Sequence, residues 1–393
     1  MSIFLIGYII IYSAMNGYCY CRLLPILPDS RVVRSCLSVF LMGMVPAPIV
    51  IRILERSGWE IGLMFAGLVV FSWMGLLFLF VVFSLVLDSL RLLLWIGKRF
   101  GIGGLPWPVF SSQVASRMGV VFALILFAYG LFEAQDLRQE HVILSSAKLP
   151  PGVDRLRIVQ VSDVHLGLLV GERTLGRIVK AVREAEPDLL VSTGDLVDSS
   201  PKTLIREAEM WNGVKPRLGK LAVTGNHEFY TGIEDSIRFT GQAGFVLLRD
   251  EVLDLGPVVV IGLDDLHSSS VPENPGDRKN FSLSEEKARR FLLLLKHRPG
   301  LSSLFTGKAD LQLSGHTHQG QIFPFGLLTR MVFSYPGGLS EDGGKWLYVS
   351  RGSATWGPPI RIFSPPEITI IDLVSEHVAK DQYTMESFVQ KVQ

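Results

Sequence analysis

Charge is scarce in this 393-residue chain. Asp, Glu, Lys and Arg make up 19% of it, against about 25% in soluble domains. The shortage is local, because only 14 of these residues lie in the first 133 positions and the other 61 are spread over the remaining 260 at an ordinary soluble density. Cysteine is nearly absent. Cys19, Cys21 and Cys36 all fall in the apolar third, which excludes thiol catalysis and a zinc-cysteine site from the polar part and a disulfide-stapled miniprotein as the whole. No Lys/Arg run stands out and the net charge is +1, so there is no electrostatic case for nucleic acid as a partner. Histidine is missing before residue 141. Low-complexity segments and internal repeats are missing throughout, and the composition excludes a disordered chain or a collagen-like fibre. At roughly 150 residues per domain the length allows two or three units.

What the first third does contain is long apolar runs. No residue from Ile61 to Leu87 is charged, enough at about 1.5 Å per residue to cross a hydrocarbon core of about 30 Å. The stretch before Arg22 is also uncharged. Without a basic start or a small-residue cleavage site, it reads as a retained span rather than a signal peptide. Shorter runs lie between Arg34 and Arg52, which includes Pro46 and Pro48, and between Arg117 and Glu133. These read as two further spans, with re-entrant or interfacial segments as the alternative. Four crossings place Arg22, Arg31, Arg34, Arg91, Lys98, Arg99 and Arg117 on one side and only Arg52 and Arg56 on the other. The positive-inside bias then puts the larger set in the cytoplasm. It makes the chain an integral protein of the plasma or inner membrane with its polar part outside the cytoplasm. The uncharged runs carry no ionisable residue, so anchoring rather than ion conduction is the expected role.

Residues 135–152 read as a linker ending in Leu149-Pro150-Pro151-Gly152. Beyond it, β-branched runs alternate with helical patterns. Strands are expected at 157–161, 189–192 and 221–223, with helices at 174–185 and 204–214, the βαβ rhythm of an α/β domain. Further strands are expected at 258–263, 311–313, 346–350 and 368–373. A helix over 284–297 would be opened by the pattern Ser282-x-x-Glu285.

Histidine, carboxylate and amide residues gather in five short clusters: Asp163-Val164-His165, Gly194-Asp195-Leu196-Val197-Asp198, Gly225-Asn226-His227-Glu228, Lys296-His297 and Gly315-His316-Thr317-His318. The first three follow expected strands, at the sheet edge where ligand groups converge in α/β folds. A strand period of two would aim Asp163 and His165 to one side, and likewise His316 and His318. Oxygen donors mixed with imidazoles suit Mn, Fe, Zn or Co rather than Ca or Mg. Asp195, after a glycine at a strand end, is the natural carboxylate to bridge two ions about 3.5–4 Å apart, which could hold a hydroxide for in-line attack on phosphorus. Gly194 and Gly225 would let the backbone come close. Taken singly, each cluster also has a plain structural reading: His297 complementing a helix dipole, Asp198 starting a helix, Asn226 forming a turn.

Taken in order, Asp-x-His, Gly-Asp-x-x-Asp, Gly-Asn-His-Glu, His and Gly-His-x-His resemble the calcineurin-like metallophosphoesterase superfamily over roughly residues 157–373. The resemblance extends to its branch with transmembrane segments through Ser162–Gly167, Gly315–Gln321 and Trp356–Arg361, although Gln319 stands where that branch frequently has glycine. It implies a fold of two packed mixed α/β sheets flanked by helices, an α+β sandwich over 153–375. A transmembrane region of about four helices at 1–134 would precede it and a tail at 376–393 would follow. It implies one divalent metal ion on Asp163, His165, Asp195 and His318 and a second on Asp195, Asn226, His297 and His316. His227, oriented by Asp198, would be the acid that protonates the leaving oxygen.

The implied activity is hydrolysis of a phosphomonoester, phosphodiester or pyrophosphate, and the anchor favours a lipid-linked partner substrate. The branch also suggests a pyrophosphatase acting on UDP-diacylglucosamine in lipid A synthesis, a cytoplasmic substrate at odds with the expected topology. A metal-stabilised sensory or scaffold domain is the non-enzyme alternative, opposed by His227 and Asp198, which a purely structural site does not need. Phe229, Tyr230, Phe323, Phe325 and Trp356 could line an acyl or base pocket or simply pack. The sequence sets no oligomeric state.

Overall fold

The structure, a computed structural model, describes residues 3–57, 59, 61–100, 111–199, 203–265, 283–300 and 309–378. The chain divides into two compact units, Met1–Phe132 with Gly357–Ile360, and Glu133–Trp356 with Arg361–Gln393.

The first unit is helical: α1 (Ile3–Leu23), α2 (Arg31–Met44), α3 (Ala47–Arg56), α4 (Leu63–Arg99) and α5 (Ser112–Glu133). Among the described residues, α4 and α5 are long and apolar enough to cross a membrane, and α2 with α3 make a third such span if the pair counts as one bent by 47°. That bend falls at Val45-Pro46, where Pro46 and Pro48 remove amide donors and crowd the preceding turn. Asp88 of α4 pairs with Arg22 at the end of α1 (3.3 Å) and accepts from the Tyr18 hydroxyl (2.6 Å). Ser116, in the first turns of α5, donates to the Arg22 carbonyl. The end of α1, the C-terminal third of α4 around Asp88 and the start of α5 therefore lie together. This is the arrangement required if the connections after α1 and α4 share one side.

The second unit is a two-sheet sandwich. Its strands are β1 (Arg138–Ser146), β2 (Arg155–Val161), β3 (Leu189–Ser192), β4 (Lys220–Ala222), β5 (Val246–Leu247), β6 (Glu251–Asp254), β7 (Val258–Gly262), β8 (Phe291–Leu295), β9 (Leu311–Ser314), β10 (Gly338–Asp342), β11 (Lys345–Val349) and β12 (Glu367–Ser375). The sheet orders are β1-β12-β2-β3-β4-β5 and β10-β11-β9-β8-β7-β6. Helices α6 (Glu172–Glu184), α7 (Ile205–Asn212), α8 (Asn226–Thr231), α9 (Ile233–Gln242), α10 (Glu285–Ala288) and α11 (Phe325–Val332) complete it.

The inner strands β12, β3 and β4 of the first sheet are buried along their whole length, which is why a strand such as Leu189–Ser192 reads as an apolar run without alternation. Val159, Val161 and Leu190 join Leu175, Ile178, Trp211 and Phe239 in a core between that sheet and its helices. Leu156, Ile158, Leu189 and Val191 meet Val258, Leu293, Leu295 and Leu313 between the two sheets.

Two expectations are corrected. The segment 284–297 is not one helix, since only Glu285–Ala288 is helical and Phe291–Leu295 is the fully buried strand β8, paired in parallel with β7 and β9. A continuous apolar run satisfies a buried strand as well as a buried helix, and burial on both faces decided it. The cap is Ser284, whose hydroxyl accepts from Lys287 N, while Ser282 lies outside the described residues. The presumed linker holds β1, nine residues in parallel register with β12, so the segment is an edge of the first sheet. Of the expected tail, only residues up to 378 are described.

Candidate metal centre

The five clusters converge because both sheets end at one place. Asp163 and His165 follow β2, Asp195 and Asp198 follow β3, Asn226 and His227 follow β4, His297 follows β8, and His316 and His318 follow β9. Backbone bonds prolong the strand pairing into these loops: Asp163 N and His165 N donate to the Gly194 and Asp195 carbonyls (3.0 Å each), and Gly315 N donates to His297 O (2.8 Å). Pleating does not aim these side chains. Asp163, His165, Asp195, His316 and His318 all have left-handed backbone, with φ of 52°, 52°, 52°, 71° and 47°. Such conformations cost non-glycine residues about 1–3 kcal/mol each and gather at functional sites. The expectation that His316 and His318 face one way fails accordingly, since the left-handed turns send them to different groups.

One group unites Asp163, His165 and His318. A second unites Asp195, His297 and His316, and a third joins His165, Asp195 and His227; the members of each offer ligand atoms within 4.8 Å of one another. His165 Nε2 lies 3.1 Å from His318 Nε2, and His318 Nε2 lies 3.4 Å from Asp163 Oδ1. Asp195 Oδ2 is 3.2 Å from His297 Nε2 and 3.9 Å from His165 Nε2, placing one carboxylate between the groups. His316 Nδ1 is 3.1 Å from His297 Nε2. His227 Nδ1 makes a 2.6 Å hydrogen bond with Asp198 Oδ1, and His227 Nε2 lies 4.0 Å from Asp195 Oδ2. All nine residues marked in the sequence lie at this edge of the sandwich. His297 follows a strand, so its helix-dipole reading is withdrawn, and its Nδ1 sits 2.8 Å from the Thr193 carbonyl.

The electrostatics are those of a site shaped for cations. Burial alone would raise the Asp163 carboxyl, but the His318 and His297 imidazoles hold it well below the usual range. Asp195 is likewise held low against its burial by His297 and His227. Burial disfavours the His297 imidazolium, yet Asp195 outweighs it and takes that histidine up to about 10. His165 and His316 are pushed down to about 3, chiefly by burial and then by His227 and His297 respectively. Burial also opposes charge on His227, but Asp195 and the Asp198 hydrogen bond prevail and raise it.

The residues fit a pair of divalent ions. The buried Asn226 Oδ1 has no hydrogen-bond partner, and imidazole nitrogens facing one another at 3.1 Å have better use for a shared cation than for each other. At Gly225 a Cβ would collide with the Asp195 carboxylate, so glycine is needed there for close approach to Asp195. Manganese supplied at about 100 times its Kd should stabilise the protein by about 2.7 kcal/mol. That corresponds to a rise of about 5–10 °C in the melting temperature of a domain this size, reversed by a chelator. An unchanged melting curve would count against metal binding.

Several positioning residues escaped the sequence reading. Glu228 sits one residue after His227, and its fully buried carboxylate accepts from Asp195 N (3.0 Å), Leu196 N (2.7 Å) and Gly225 N (2.7 Å). Burial and the nearby Asp195 charge push it up to about 7. Buried Arg361 reaches within 3.1 Å of His318 Nδ1 and donates to the Arg351, Ala354 and Ser364 carbonyls; burial lowers it to about 10. Gln321 clasps the Trp356 backbone through Nε2 to the carbonyl (3.0 Å) and Oε1 from the amide (2.9 Å). The signal was present, since Glu228, Gln321 and Arg361 all lie inside segments already singled out. Gln319, at φ 49°, carries a side chain where glycine would be unstrained.

Aromatic rings frame the centre. Trp356 and Tyr230 stand edge-on to His227 with centroids 5.6 and 5.2 Å away, and Phe333 lies 5.8 Å from His316. Phe323 pairs instead with Phe363 at 5.7 Å.

Residues 156–320 match the family profile described as Calcineurin-like phosphoesterase. An uncharacterized metallophosphoesterase of Aquifex aeolicus is 36% identical over 254 residues, 64% of this chain and 97% of that protein. A transmembrane protein with metallophosphoesterase domain from Danio rerio is 34% identical over 277 residues, covering 65% of this chain and 62% of its own length. A Campylobacter jejuni metallophosphoesterase is 37% identical over 223 residues, with 59% of its length covered. The match thus spans nearly all of the Aquifex protein and about three fifths of the other two. Among solved structures, a dimetal phosphatase from Danio rerio is 14% identical with a TM-score of 0.34 over 50% of this chain and 87% of that one, a likeness too slight to add to the sequence matches. The chain belongs to the calcineurin-like metallophosphoesterase family, a class of phosphoric ester hydrolases.

Proposed function

We propose that the chain is a membrane-anchored dimetal phosphoesterase acting on an amphiphilic, lipid-linked phosphate. Asp163, His165, Asp195 and His318 would hold one divalent ion, and Asp195, Asn226, His297 and His316 the other, with Mn, Fe, Zn and Co all compatible with the mixed oxygen and nitrogen donors. The observation that carries the reading is the position of Asp195, its carboxylate within 4 Å of His165 Nε2 and His297 Nε2. When bound, such a pair supplies a nucleophile from water and neutralises charge developing on phosphorus.

The protein's own groups do the rest. Asp198 holds the His227 ring by its Nδ1 and favours the imidazolium, leaving Nε2 to give a proton to the departing oxygen. Glu228 and the glycine at 225 fix the loops that carry Asp195. The half-exposed Trp356 and Tyr230 offer apolar flanks to a substrate whose non-phosphate part is greasy or aromatic, which supports a lipid-linked class. The distribution of arginine and the shared location of Arg22, Asp88 and Ser116 support an extracytoplasmic centre in the plasma or inner membrane.

The test uses the full chain in detergent with manganese, offered esters that differ only in their leaving group. His227→Ala should cost about 10²–10⁴-fold with a poor alkoxide leaving group, the range for a positioned general acid, and far less with nitrophenolate, which departs unprotonated. Equal losses for both esters would remove His227 from the acid role. No turnover of any monoester, diester or pyrophosphate would favour the scaffold alternative.

A further inference from the structure

We infer that α11 and its flanks form an interfacial helix that inserts into a lipid surface and thereby brings the metal centre to phosphates carried in the bilayer. The helix is amphipathic in the wrong sense for a soluble domain. Its one buried residue is Thr329, whereas Leu327, Leu328, Met331 and Val332 face outward, the last two 82% and 76% exposed. Phe323 and Phe363 extend the patch, paired at 5.7 Å and themselves exposed. Exposed Arg330 adds a cation suited to anionic headgroups beside the apolar residues. A face of this kind costs solubility unless something covers it.

The chain itself indicates the occupant. Glu133 is the last residue of α5, a helix long and apolar enough to cross a membrane. Its carboxylate accepts from Phe363 N and Ser364 N, both at 2.9 Å, so the aromatic flank of the patch is fastened to the residue where that helix ends. Four residues, 134–137, separate Glu133 from β1. The patch is also joined to the chemistry. Phe323 N donates to Ile362 O, and Ser364 Oγ donates to the His318 carbonyl (2.7 Å). A Cβ on Gly320 would strike the backbone of Gly326 at the start of α11, so the helix is seated directly on the turn that carries His318.

The inference deepens the proposed lipid-phosphate reading and rests on it for substrate, but docking can be read separately from turnover. The full chain, with its three cysteines replaced by serine, would carry a nitroxide at Met331→Cys or, as control, at the exposed Lys180→Cys. Each would be reconstituted into phosphatidylethanolamine–phosphatidylglycerol vesicles. At Met331 the ratio of oxygen to nickel-chelate collisions should exceed the control several-fold, as for a lipid-immersed site. An aqueous ratio at both positions would overturn the inference, as would a Met331 probe shielded from both reagents, the outcome for a protein partner or second copy. Met331→Glu with Val332→Glu should then lower turnover of a phospholipid ester in these vesicles about tenfold, corresponding to about 1.4 kcal/mol, while a soluble nitrophenyl ester is turned over as before. Equal loss on both esters would overturn the inference. Absence of turnover with either ester in the unsubstituted protein would sink the phosphoesterase reading while leaving the collision result to decide docking.

Discussion

Asp195→Asn is expected to lower kcat about 10³-fold, the top of the range for losing one preorganised electrostatic contact at a reacting centre. The side chain keeps its volume and loses its charge, so the fold should survive. Two things fail together. Asp195 Oδ2 is the oxygen near both His297 and His165, and an amide is a poor bridging ligand. The carboxylate is also the main partner sustaining charge on His297 and contributes to that on His227. The third contact survives, since Oδ1 accepts the His227 amide proton at 2.9 Å and an asparagine oxygen can still accept it, so the loop is expected to stay in place. Steady-state kinetics with a nitrophenyl ester, alongside a melting curve, separates lost chemistry from lost structure. Activity within tenfold of the parent in a folded variant would contradict the bridging role.

Glu228→Ala is expected to act through stability instead. Truncation leaves the buried amides of Asp195, Leu196 and Gly225 without their acceptor, at about 1–3 kcal/mol for each unpaired group. The total, roughly 3–9 kcal/mol for three such groups, is a large part of the 5–15 kcal/mol typical of a folded domain. The melting temperature of the metal-free protein should fall by about 10 °C or more, and Glu228→Gln, which retains an acceptor oxygen, should recover part of the loss. A drop of only a degree or two in Glu228→Ala would mean that water replaces the carboxylate at little cost.

The contrast between these two positions shows what the sequence discloses. The candidate metal ligands are legible because few other uses explain Asp, His and Asn at strand ends in five clusters, and the strands are legible where β-branched residues form short runs. His297 was correctly chosen but wrongly placed on a helix, because Phe291–Leu295 carries no periodicity once both faces are buried. The first strand was hidden for the opposite reason. As an edge strand its exposed positions are polar, and the prolines beyond it drew attention to a boundary instead. The left-handed backbone at Asp163, His165, Asp195, His316 and His318 left no mark in the sequence, because residue type alone does not require it. Glu228 and Gln321 bond to backbone groups more than thirty residues away, at Asp195, Leu196 and Trp356, and Arg361 joins the His318 ring to the Arg351, Ala354 and Ser364 carbonyls; such partnerships exist only once the strands that carry these loops are in place.

In the proposed centre Asp195 joins two metal ions. Electron paramagnetic resonance of the manganese-loaded full chain addresses it directly, since two ions sharing a carboxylate are exchange-coupled while separated ions are not. The unsubstituted protein is expected to give the spectrum of a coupled pair at two manganese ions per chain, and Asp195→Asn that of isolated ions. An isolated-ion spectrum from the unsubstituted protein at full loading would contradict the account.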